Sequence, residues 1–142
     1  MIRALGEDEV PLAAALAAAA LREDPGFSHI LPDDALRRWR LPSLIGAFLR
    51  LDLASGARLS GAFDDGALVG VSCVLPPAAP KPPLHRWARQ AAASAWLLCR
   101  PSALLRALGL MRALDGVRPR DFDYLRLLAV HPAAQGRGVG AA

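Results

Sequence analysis

Gln135-Gly136-Arg137-Gly138-Val139-Gly140 sets three glycines at alternate positions just after a short apolar strand and a proline turn. Glycine has no Cβ, so a ligand can come close to the backbone there. Val139 to Ala142 favour the start of a helix. A helix N-terminus presents free N–H groups and the positive end of a dipole, which suits a phosphate. The chemistry this stretch could do is therefore to hold a pyrophosphate through main-chain amides.

Two common phosphate motifs do not fit. A dinucleotide fold needs G-x-G-x-x-G at the strand end and an acidic residue about 20 positions on. Here the spacing is G-x-G-x-G, and His131-Pro132-Ala133-Ala134 separates it from the strand. A P-loop needs Gly-Lys-Ser/Thr, which the chain lacks. The run Leu127-Leu-Ala-Val-His-Pro-Ala-Ala-Gln-Gly-Arg-Gly-Val-Gly140 instead closely resembles the signature of the GNAT superfamily of N-acetyltransferases. That signature is a strand ending in a Val-x-Pro turn, followed by Gln/Arg-x-x-Gly-x-Gly/Ala opening a helix. Gln135, Gly138 and Gly140 fall on its fixed positions.

The resemblance implies an α/β (α+β) fold, a mixed and mostly antiparallel sheet flanked by helices, and acetyl-CoA as co-substrate. Backbone amides of Leu128, Ala129 and Val130 would pair with the pantetheine arm. The amides of Gly136, Arg137, Gly138, Val139, Gly140 and Ala141 would hold the pyrophosphate, with Gln135 fixing the loop. Transfer to a primary amine needs alignment and a base for the ammonium proton. Asp121 and Asp123, just before the cofactor strand, are the candidates; the plainer reading makes both solvated loop acids. His131 belongs to the turn and is assigned a structural role. The family's usual acid, a tyrosine well after the loop, is expected beyond residue 142. So are a helix and further strands, so the 142 residues read as an incomplete domain, expected to bind acetyl-CoA poorly and to be inactive alone. The other function class is a non-catalytic acyl-CoA-binding or regulatory module.

Composition limits the alternatives. The chain has 142 residues, 54% hydrophobic and 21% charged, enough for one globular domain. Glu7, Asp8 and Glu9 give the first ten residues the wrong charge for a secretory leader. Cys73 and Cys99 are isolated, with no metal-ligand spacing, so no metal is expected and a cytoplasmic location fits. The net charge of +4 hides an asymmetry. Residues 81–120 carry eight basic residues against Asp115 alone, and the rest of the chain is net acidic.

Positioning falls to the elements before the loop. Met1–Leu5 reads as a first strand, and Val10–Leu21 as an Ala-rich helix capped by Glu7 or Asp8. Asp24-Pro25-Gly26 reads as a break. A second helix capped by Asp33 or Asp34 runs to about Leu53, with Leu36, Trp39, Leu44, Phe48 and Leu49 on its apolar side; Pro42 should kink or split it. Ala57–Phe63 and Ala67–Leu75 are strands joined by an Asp64-Asp65-Gly66 hairpin turn, with Gly70 marking a bulge or a close approach. Pro76–Pro83 is a stiff linker. Residues 81–118 are a basic helical insertion, with helices at Leu84–Leu98 and Ser102–Leu114. It could be a substrate lid or homodimer face, the reading favoured, or an anionic-membrane or partner surface. Nucleic acid and membrane contact are not expected.

Overall fold

The computed structural model describes residues 1–141; Ala142, the end of the expected helix start, lies outside them. Four strands, β1 (Ile2–Ala4), β2 (Arg58–Asp64), β3 (Ala67–Leu75) and β4 (Tyr124–Val130), form one sheet in the order β1-β2-β3-β4. Every neighbouring pair is antiparallel. The β2–β3 turn places Asp65 at φ 46° and Gly66 at φ 80°, the double left-handed geometry that a two-residue hairpin on twisted strands requires.

Two long helices face the sheet. α1 (Val10–Ala20) buries Val10, Ala13, Ala14 and Ala17, and α3 (Asp34–Ala54) buries Leu41, Leu44, Ile45 and Leu49. Small side chains bring the pair close: a Cβ on Gly46 would lie 3.7 Å from the Ala14 Cβ. Val71, Cys73 and Leu75 on β3 and Ala129 on β4 complete this core. The layout follows from periodicity, since alternate strand residues point one way and helix residues three or four apart share a face.

Several sequence expectations change in detail. α1 begins at Val10 as expected, with Pro11 in its first turn, but neither Glu7 nor Asp8 caps it: Glu7–Glu9 is a 3₁₀ turn, and Glu9 holds the cap position without a side-chain bond. Asp24-Pro25 starts a helix: the Asp24 carboxylate accepts from Gly26 and Phe27 N–H at the head of α2 (Pro25–Ile30). Asp plus Pro serves a helix start as readily as a turn, because the proline supplies no N–H where none is needed. Pro42 does not split α3, which is continuous from Asp34 to Ala54. Trp39 is 69% exposed and stacks under the Arg40 guanidinium at 3.9 Å instead of joining the core.

The basic insertion forms α4 (Leu84–Ala93), a 3₁₀ segment (Ala95–Cys99) and α5 (Pro101–Val117). The first expected helix therefore stops five residues early. α4 packs on α3 and α5 on α2. Leu97, Ala103 and Ala107 are nevertheless buried with the main core. Among the described residues no helix is long and apolar enough to cross a membrane.

Candidate active site

The glycine loop begins where β4 ends. The His131 N–H donates to the Val69 carbonyl at 2.8 Å, anchoring the strand end to β3. His131 Nδ1 accepts from the Ala133 N–H at 3.2 Å and caps the 3₁₀ turn Pro132–Ala134, the structural role expected of it. Gln135 Nε2 donates back to the Val130 carbonyl at 3.1 Å, folding the loop onto the strand end. Gly136 and Gly138 take φ 76° and 80°, with Arg137 between them on the ordinary side. Alternation of this kind makes a concave nest of successive N–H groups that attracts an anion. A Cβ on either glycine would meet no protein atom within 4 Å, so the approach to the backbone is open from outside. A 3₁₀ turn, Val139–Ala141, follows. Gly70 lies beneath it, where a Cβ would come within 2.9 Å of Val139 Cγ1. Gly70 also stands beside a register shift at Val69, so both expectations for this glycine hold.

β4 is the last strand of the sheet among the described residues, leaving one edge open. Antiparallel pairing alternates between inward and outward backbone groups. With His131 bonded to Val69, Ala129 turns its N–H and C=O towards β3, while Leu128 and Val130 turn theirs to the open edge. That edge can bind an extended amide chain by strand addition. Of the three residues expected to pair with pantetheine, Leu128 thus offers both backbone groups and Val130 its N–H, the Val130 carbonyl already accepting from Gln135.

Further back along β4, Cys73 pairs with Leu127 but Val74 pairs with Leu125, so Arg126 is an extra residue in a bulge. A bulge bends the strand and re-aims a side chain. Arg126 is brought beneath the sheet, its Nε 3.4 Å from Asp52 Oδ2 and its Nη1 3.7 Å from Asp115 Oδ1. The three charged groups line a cavity of about 630 Å³, within the range of small-molecule sites. Its walls come from the C-terminal turns of α3, the strap 78–82, α4, the end of α5 and the segment before β4. The strap is more than a stiff linker. Ala78 adopts φ 51°, and its N–H donates to the Arg120 carbonyl at 3.0 Å.

Asp52 is 8% exposed. Burial pushes its carboxyl up to about 6, against the pull of the Arg126 and Arg118 cations. Cys73, fully buried, is pushed up to about 12 for the same reason and stays a thiol, so it is no nucleophile at neutral pH. The expected bases lie elsewhere. Asp121 is exposed, and Asp123 Oδ2 accepts from Arg58 Nη2 at 2.7 Å on the surface. Neither lines the cavity. Arg137 points away to Asp64, 2.9 Å off and well exposed.

Asp52 is not among the residues expected from the sequence. A signal was present: Ile45, Phe48 and Asp52 share one helical face, so an acid stands on an apolar stripe. Arg126, a charge in the middle of an apolar strand, was a second.

No protein-family model matches the sequence, and no curated protein matches it. A solved structure, described as histone acetyltransferase HPA2 and related acetyltransferase from Corynebacterium glutamicum, superposes with a TM-score of 0.65 at 18% identity. The match covers 100% of this chain and 66% of that one. The fold is that of the GNAT acetyltransferases. The chain spans 66% of the length of the GNAT protein it matches.

Proposed function

We propose that this chain uses acetyl-CoA to acetylate a primary amine. The observation that carries the proposal is the glycine nest at the end of β4 within a GNAT-type fold. The pyrophosphate would lie against the amides from Gly136 to Ala141. The pantetheine amides would pair with Leu128 and Val130 along the open edge, leading the thioester towards the bulge. Acetyl-CoA supplies an acyl group already activated for attack.

The cavity supplies the second substrate's place. The amine nitrogen attacks the thioester carbonyl, the C–S bond breaks, and CoA leaves as its thiol. A bound ammonium must first lose a proton. Asp52 suits that step, because it is buried, lines the cavity and has its carboxyl raised to about 6. A base is most effective when its pKa lies near the working pH. Asp121 and Asp123 are the competing assignments.

Thiol release from acetyl-CoA across a panel of amines, with calorimetry of CoA alone, tests the reading. Saturable CoA binding with amine-dependent release is expected. Binding without release leaves the non-catalytic module, and no binding at millimolar CoA removes the reading altogether.

A further inference from the structure

The cavity beneath the β4 bulge has a definite charge. Four cations, Lys81, Arg118, Arg120 and Arg126, face two carboxylates, Asp52 and Asp115. Arg126 lies within ion-pair reach of both acids. Lys81, Arg118 and Arg120 have no carboxylate partner among the described residues, and the Arg118 Nε is buried without a hydrogen-bond partner. Unpartnered guanidinium donors in a partly enclosed site are suited to an anion, above all a carboxylate or phosphate that can accept two N–H bonds.

The opposite wall is apolar. A second cavity of about 230 Å³ opens between α3 and the α4–α5 pair, and it shares Phe48, Leu51, Trp87 and Met111 with the first. The two cavities adjoin along these side chains, and Trp87 and Met111 line the first as well, so a ligand with its charge against the arginines sets an apolar body against them.

We propose that the acceptor is an amine carrying both a carboxylate and a large apolar body, the chemistry of an apolar α-amino acid. This rests on the acetyltransferase reading above. Lys81, Arg118 and Arg120 hold the carboxylate, the second cavity takes the apolar side chain, and the amine is left beside Asp52 and the bulge. There the ammonium gives one proton to Asp52, and the nitrogen lone pair forms the new bond to the acetyl carbon. The C–S pair departs with sulfur, which takes up the second proton shed by the newly acetylated nitrogen to give the thiol. Surplus positive charge helps twice, since it attracts the carboxylate and disfavours the ammonium form of the amine. The same charge repels a polyamine or a lysine-rich peptide.

Calorimetry on the protein with four probes tests this: phenylalanine, phenylalanine amide, alanine and spermidine. Phenylalanine is expected to bind. The amide, lacking the carboxylate, and alanine, lacking the apolar body, are each expected to bind about tenfold more weakly or worse. Spermidine is expected not to bind. The double variant Lys81→Gln/Arg120→Gln alters two exposed side chains and should narrow the acid–amide gap to about threefold or less. Arg112→Gln, outside the cavity, should leave the gap unchanged. Equal affinity for acid and amide, preference for spermidine, or no binding by any probe overturns the assignment. Thiol release separates the two readings. If phenylalanine binds with this ranking but no amine releases thiol, the ligand class stands and the transferase reading fails. If spermidine is the fastest acceptor, the transferase reading stands and this proposal fails.

Discussion

The glycine nest and the cavity beneath the bulge are suited to ligands by opposite means. The nest is one short stretch, Gln135 to Gly140, in which main-chain groups are what lies open to a ligand and side chains matter by their absence. Arg137, in its middle, turns outward to Asp64. The cavity is built from side chains on segments as far apart as Phe48 and Arg126, and the backbone there only holds them in place. A backbone site should tolerate changes of side chain but not of dihedral angle or local charge. A side-chain site should respond to single atoms. The two halves of the site should therefore fail separately.

The largest separation should come from Asp52→Asn. If Asp52 takes the ammonium proton, acetyl transfer should fall about 10²–10⁴-fold, while CoA affinity, measured by calorimetry, stays the same. Asp121→Asn and Asp123→Asn should each lower turnover less than about threefold, as surface changes do. The reverse ranking would move the base to the segment before β4. In the active protein the rate should rise as pH passes through about 6, because Asp52 must be ionised to accept the proton.

Gly138→Glu should produce the converse phenotype. It puts a carboxylate into an anion nest and a Cβ on a residue at φ 80°. Its expected loss of CoA affinity is about a hundredfold, since left-handed strain of roughly 1–2 kcal/mol adds to like-charge repulsion. Arg137→Ala, one residue away, should change affinity about twofold or less, because its partner is a surface carboxylate.

A third effect reads the cavity without any substrate. Asp52 has a raised carboxyl in the folded chain, about 6 against 3.8 as its ordinary value. The protonated form is the one the fold favours, so its contribution is complete below about pH 4. It is lost as pH rises through 6. Asp52→Asn should thus melt higher than the parent at pH 7.5, by an amount worth up to about 3 kcal/mol. The difference should vanish near pH 4. A constant difference across that window would show that Asp52 is not desolvated. The smallest effect is Gly70→Ala. Its methyl would press on Val139 Cγ1 at 2.9 Å and tilt the loop. About 1 kcal/mol of stability and a few-fold in CoA affinity should be lost together.

The same contrast explains what was legible in the sequence. The glycine loop could be read because its function is local, with strand, proline and glycines in one run. The places of the strands along the chain and the two long helices could be read from periodicity. The cavity could not, because nothing in the sequence brings Asp52 to Arg126 until the end of α3 comes against a bulged β4. Arg126 sits inward only because that bulge gives β4 one residue more than β3. The role of the basic insertion was hidden in the same way. Its charge total was plain, but only folding gathers Lys81, Arg118 and Arg120 around one cavity. Asp121 and Asp123 are acids next to β4 in sequence, whereas Asp52 is remote from it in sequence and adjacent in space.

Calorimetric titration of the protein with CoA, run beside Gly138→Glu under identical conditions, tests the central claim most directly. The account predicts saturable binding by the parent below millimolar CoA and a loss of about a hundredfold in the variant, whose melting temperature should stay within a few degrees of the parent's. No heat of binding by the parent at millimolar CoA, or equal binding by the variant, would contradict it.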